Sequence, residues 1–118
     1  MRQFKRSDRV AEEIRRIASE VWDSEMASRL PGMVTFTRCD LSGDLRYAKL
    51  YYSYLGTPTD RERLDNFLIH NTKKMRRLIG SNLRIRHIPE LAFKFDPSIE
   101  EGVRIEELLN EINRDKQE

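Results

Sequence analysis

Scarcity sets the first limits on this chain. It has one cysteine, Cys39, so no intrachain disulfide and no multi-cysteine metal site can form. That thiol sits in an apolar-leaning stretch with no histidine beside it, which reads as a small buried hydrophobe rather than a nucleophile. The two histidines, His70 and His87, stand seventeen positions apart without cysteine or paired acids nearby, so no metal site is expected. Glycine is sparse, and no phosphate-cradling glycine loop occurs, which leaves nucleotide hydrolysis without an apparatus. Ser42 and Asp44 are spaced for a turn hydrogen bond, not for a nucleophile and its acid. No cofactor and no catalysis are expected. No apolar run is long enough to cross a bilayer, and no apolar segment follows the basic opening MRQFKRSDRV. These features fit a soluble, cytoplasmic protein.

One more scarcity is local: between Asp65 and Glu90 there is no acidic residue. That interval holds Lys73, Lys74, Arg76, Arg77, Arg84 and Arg86, interleaved with Met75, Leu78, Ile79, Leu83, Ile85 and Ile88. On a helical wheel Lys73, Arg76, Arg77, Gly80 and Arg84 share one stripe. Leu64, Leu68, Asn71, Met75, Leu78, Ile79 and Asn82 lie opposite. Gly80 has two readings, a helix-ending residue or a bare spot in the basic stripe where a phosphate or backbone can come close.

What the chain does have is charge. Charged residues make up 36% and apolar ones 38% of 118, a balance for a single globular domain with a wet surface. From Asp96 onward eight acids face three bases, a net −5; the total of +2 leaves +7 on residues 1–95. A basic body with an acidic tail suggests a polyanionic partner. Solvated faces usually mix signs, so the acid-free interval favours nucleic acid over mere solubility. A membrane surface fits less well, because the apolar side of the basic helix is wanted by a core and its polar side has no aromatic anchors.

In chain order, Arg2, Lys5, Arg6 and Arg9 form a basic arm leading into a helix with Ser7 as its N-cap and Val10, Ile14, Ile17, Ala18 and Val21 on one face. Trp22 and Met26 can extend that face, and Glu12 is placed to pair with Arg16. A turn at Arg29-Leu30-Pro31-Gly32 precedes a strand over 33–40, with Val34 and Phe36 opposite Thr35, Thr37 and Cys39. A second strand over 45–55 returns as a hairpin, with Tyr47, Lys49, Tyr51 and Ser53 on one side and Ala48, Leu50, Tyr52 and Tyr54 on the other. Tyr47 and Tyr51 are read as half-buried packing residues in preference to base-stacking ones. Thr59 and Glu62 form a capping box that starts a second helix, which runs into the basic stretch with or without a break. Ile88, before Pro89, lies outside helical geometry, and a third strand follows over 90–95. The expected division is a domain over 1–96 and an acidic tail over 97–118 with a short helix carrying Ile105, Leu108, Leu109 and Ile112.

Several segments resemble the ribosome-binding factor A family. They are Arg9-Val10-Ala11-Glu12 with Ile14-Arg15-Arg16, Gly32-Met33-Val34-Thr35, and Leu45 with Tyr47-Ala48-Lys49-Leu50-Tyr51. The most specific is Leu83-Arg84-Ile85-Arg86-His87-Ile88-Pro89-Glu90-Leu91, followed by Phe93, Asp96, Ser98-Ile99, Gly102 and Arg104-Ile105. These pieces span nearly the whole chain in order. The resemblance implies an α+β domain of type II KH-like fold, α-β-β-α-α-β, with a three-stranded mixed sheet and helices packed on one face. It also implies binding to the small (30S) ribosomal subunit and immature 16S rRNA during late assembly and 5′-end processing, by a chain that is monomeric off the ribosome. Two departures stand out: Asn71-Thr72-Lys73 replaces the family's usual Ala-x-Gly kink, and Pro31 precedes Gly32. Gly80-Ser81-Asn82-Leu83 supplies no Gly-x-x-Gly backbone clamp. The expected RNA-binding set is Lys73, Lys74, Arg76, Arg77, Gly80, Arg84 and Arg86, with Arg2, Lys5, Arg6 and Arg9 assisting. The rival expectation is a protein-interaction adaptor that docks through the basic helix and acidic tail without RNA.

Overall fold

A computed structural model describes residues 6–117. Helix α1 spans Arg6–Val21 and passes into a wider π turn, Trp22–Met26, and a short 3-10 turn, Ala27–Arg29. Strands β1 (Met33–Leu41) and β2 (Tyr47–Leu55) follow, then helices α2 (Pro58–His70) and α3 (Thr72–Gly80), strand β3 (Glu90–Phe95) and helix α4 (Ser98–Gln117). The sheet order is β1-β2-β3, antiparallel between the first two and parallel between the last two. This mixed three-stranded sheet, with the α-β-β-α-α-β order followed by one further helix, is the expected fold class.

The core lies between the sheet and the helices because period-2 and period-3.6 apolar faces meet there. Ala48, Leu50, Tyr52 and Tyr54 of β2, with Phe36 and Leu91, pack against Ile14, Ile17 and Ala18 of α1, Leu64 and Leu68 of α2, and Met75 and Ile79 of α3. Trp22 completes the seal, its ring edge-on to Phe36 at 6.2 Å and to Phe67 at 5.9 Å. The Tyr54 hydroxyl donates to Pro31 O at 2.7 Å, and Gly32, at φ 90°, leaves room for that ring.

The structure departs from the sequence expectations at several places. Ser7 lies inside α1 rather than capping it. Glu12 pairs with Arg15 at 2.6 Å and Arg16 with Glu20 at 2.9 Å, so the expected Glu12–Arg16 pair is replaced by two others. A bulge between Phe36 and Arg38 leaves Thr37 as the extra residue. The alternation therefore flips, and Cys39 and Leu41 pack against the core on the same side as Val34. Burial pushes the Cys39 thiol up to about 12, as befits a packed hydrophobe.

Helix α2 is capped two residues earlier than the capping box suggests. Thr57 Oγ1 accepts from Asp60 N at 3.1 Å and donates to Asp60 Oδ2 at 2.8 Å. Pro58 sits at the first helical position, where its fixed φ suits the turn and its missing N–H is harmless. The terminal helix is twenty residues long rather than short.

Candidate nucleic-acid interface

The element that carries the cations is shaped by Asn71. At φ −106° and ψ 12° it separates α2 from α3. Both its N–H (3.0 Å) and its side-chain Nδ2 (2.8 Å) donate to Phe67 O, while its own carbonyl accepts from Met75 N at 2.9 Å. The amide thus does locally what a small-residue kink does elsewhere: it ends one helix and starts the next at a new angle. Met75 and Ile79 then turn into the core, and Lys73 and Arg77 are left exposed on the far side, with Lys74 half-buried.

Arg76 has a different occupation. Its Nε donates to Pro89 O at 2.9 Å and its Nη2 to Ile88 O at 2.6 Å, with Glu90 Oε1 3.5 Å away. It ties α3 to the entry of β3, so its guanidinium is committed to the fold. Gly80 is also used internally. A Cβ there would overlap Ile88 Cδ1 and come within 2.8 Å of its Cγ1, so the close approach is made by the chain itself. Ser81, at φ −67°, follows it at the helix end.

Arg84 and Arg86 stand exposed on the irregular segment that returns to the sheet. Lys73, Lys74, Arg77, Arg84 and Arg86 form no ion pair with a carboxylate within 4 Å among the described residues; of the expected stripe only Arg76 does. Arg6 and Arg9 are exposed on α1, which packs against α3, but they share its outer side with Glu12, Glu20 and their partners. Arg2 and Lys5 lie outside the described residues.

On the sheet face away from the helices, Arg38 stacks its guanidinium 4.1 Å from the Tyr51 ring centre and reaches Asp40 at 3.5 Å. Tyr47 is 64% exposed, so it does not pack as a half-buried strand residue. Its position was not legible as part of the cationic stretch, because only the parallel pairing of Tyr47 with Glu90 brings them together. Glu90 N donates to Arg46 O at 2.8 Å, and the hairpin end, Arg46 and Tyr47, thereby meets the end of the basic segment at His87 and Ile88. His70, by contrast, points along α2, its Nδ1 2.7 Å from Asn66 O. No group of three or more potential metal ligands occurs among the described residues.

The family model for ribosome-binding factor A matches residues 6–109, most of the chain. The chain belongs to the ribosome-binding factor A family. Among its relatives in that family, the Natranaerobius thermophilus ribosome-binding factor A is 40% identical over 108 residues, covering 92% of this chain and 82% of the relative. The Geobacter sulfurreducens one is 39% identical over 113 residues, covering 96% of each. A Thermotoga maritima protein provisionally assigned to the family, solved by NMR, is 34% identical with a TM-score of 0.64, covering 80% of this chain and 90% of that one. A Thermus thermophilus ribosome binding factor A, fitted into the cryo-EM map of a 30S complex, shares the fold at a TM-score of 0.65 and 18% identity, covering 77% of this chain and 96% of that one. Within this fold the apolar side of the basic α3 stretch is in the core, Arg76 and Gly80 are engaged within the chain, and the hairpin end lies beside the basic segment.

Proposed function

We propose that this chain binds the small (30S) ribosomal subunit while its 16S rRNA is immature, in late assembly and 5′-end processing. It acts there as a cytoplasmic, monomeric binding factor and not as an enzyme. The observation that carries this reading is the set Lys73, Lys74, Arg77, Arg84 and Arg86, which pair with no carboxylate among the described residues and sit on α3 and the segment after it, where Met75, Ile79 and Leu83 are buried in the core. A fixed array of cations recognises phosphates by position, so it suits the shape of a folded RNA better than a base sequence. The Thermus thermophilus relative, fitted as part of a 30S complex, supports the choice of partner.

The test is co-sedimentation with immature small subunits. A Lys73→Glu/Arg77→Glu/Arg84→Glu variant that keeps the parent's thermal stability should lose most of its association. Association equal to the parent's would refute the proposal. The adaptor reading has one observation in its favour, the apolar edge of α4, where Ile105, Leu108, Leu109 and Ile112 are each 50–57% exposed. Ribonuclease treatment separates the two: partners that stay bound after digestion favour the adaptor, and release favours RNA.

A further inference from the structure

Where hairpin and basic segment meet, an open hollow of about 350 Å³ is lined by Arg46, Tyr47, His87, Ile88 and Glu90. We propose that this hollow holds one unpaired nucleobase of the bound RNA, stacked on Tyr47, with an amino edge donating to Glu90. The inference rests on the RNA-binding reading above and adds to it a base-binding site that the phosphate-contacting cations do not provide.

Three observations carry it. First, the lining is chemically mixed in the way a base is. Tyr47 offers an open aromatic ring and Ile88 an apolar wall, while Arg46 and His87 supply donors and Glu90 an acceptor. Glu90, whose Oε1 lies 3.5 Å from Arg76 Nη2, is an exposed carboxylate acceptor, which makes the hollow a better partner for an exocyclic amine than for a phosphate. Uracil has no such amine.

Second, the hollow is held ready before anything enters. Leu45 is the single non-glycine residue at positive φ among those described, 63°, in the turn directly before Arg46 and Tyr47. That strained turn is pinned by six hydrogen bonds: Ser42 N to Tyr47 O (2.9 Å), Leu45 N to Ser42 O (2.9 Å), Ser42 Oγ to Asp44 Oδ1 (2.6 Å), Arg46 N to Ser42 Oγ (3.2 Å) and to Asp44 Oδ1 (3.1 Å), and Tyr47 N to Ser42 Oγ (3.0 Å). The opposite wall is fixed by Arg76 through the Ile88 and Pro89 carbonyls. A preformed slot binds with little ordering cost.

Third, the hollow lies where RNA would already be. Arg84 and Arg86 lie just upstream of His87 in the same segment, and Arg46 has no carboxylate within ion-pair distance among the described residues. A strand tracked by those cations passes the mouth, and an unpaired base can turn in.

The test uses the full chain and fluorescein-labelled single-stranded oligocytidylate and oligouridylate, followed by anisotropy across a salt series. The parent should prefer oligocytidylate. Tyr47→Leu should weaken oligocytidylate binding about five- to a hundredfold without changing the salt slope, since it removes stacking and no charge. Tyr47→Phe keeps a ring and should bind like the parent, which separates lost stacking from lost folding. Glu90→Gln should shrink the preference for cytosine. If Tyr47→Leu binds as the parent does while Lys73→Glu/Arg77→Glu loses affinity and slope, the base site is wrong and the RNA reading survives. If the charge reversal also changes nothing, both fall.

Discussion

The stretch from Thr72 to Leu91 and helix α4 start from similar material: an amphipathic run with charge of mainly one sign on its polar side. They end in opposite states. In the first, Met75, Ile79, Leu83 and Leu91 are buried in the core, and Arg76 ties helix to strand. In the second, the apolar edge is half open to solvent and the polar edge is acidic. A charge acts as part of a surface only if its backbone is held, so the cations of the first stretch form a shaped array. Among the described residues, no side chain of the second joins the core cluster.

The contrast is easiest to break by truncating one leucine of the core on which the first stretch is anchored and one leucine of α4. Leu68→Ala, beneath the kink that launches α3, should cost about 2–5 kcal/mol. Leu109→Ala should change stability by no more than about 0.5 kcal/mol. Urea unfolding of the pair measures both, and equal losses would mean that α4 is packed as firmly as the core.

A finer cut runs between neighbours. Arg76→Ala removes two charged hydrogen bonds to backbone carbonyls from a side chain that is 37% exposed and should cost about 1–2 kcal/mol. Arg77→Ala should leave stability within about 0.5 kcal/mol and weaken RNA binding. If the two variants behaved alike in both assays, the assignment of Arg76 to the fold and Arg77 to the interface would be wrong.

Asp96 marks the joint between the regions. It accepts from Ser98 N at 3.0 Å, just ahead of α4, and from Thr37 Oγ1 at 2.8 Å. The Ser98 N–H and hydroxyl, followed by Thr37, hold its carboxyl below the ordinary value of 3.8. A lowered folded value means that the stabilisation is complete above the unfolded value and is lost as pH falls through the folded one. Helicity of α4 should therefore fall in acid below about pH 4, and Asp96→Asn should make that loss shallower. A parent and variant with the same acid titration by circular dichroism would exclude this joint. Smallest in energy is a kinetic check on the anchored side. With its thiol pushed up to about 12, Cys39 should be alkylated at pH 8 at least about a hundredfold more slowly than a free thiol.

Much of this was legible in the sequence because it followed local periodicity. The third strand appears over Glu90–Phe95 as the alternation of Leu91, Phe93 and Phe95 implies, and the helix-covered side of β2 is the predicted one. What was not legible depends on competition or on distance. Thr57 and Thr59 each open a plausible cap two residues apart, and Pro58 settles the choice by fitting the first helical position. One unpaired residue at Thr37 reverses a strand's sides without any sign in composition. Arg76 and Arg77 look alike on a wheel until the returning segment places the Ile88 and Pro89 carbonyls beside one of them. Tyr47 joins the candidate site only through a parallel pairing more than forty residues away in sequence.

The most direct measurement is the salt dependence of binding to immature small subunits for the parent and for single Gln substitutions at Lys73, Arg77, Arg84 and Arg86. With about five phosphates neutralised, the parent's log affinity should fall with log salt at a slope of roughly −3.5 to −4.5, and each substitution should make it shallower by about 0.7–0.9. A parent slope near zero, or a slope that none of the four substitutions alters, would contradict the claim that this anchored cationic edge is what holds the RNA.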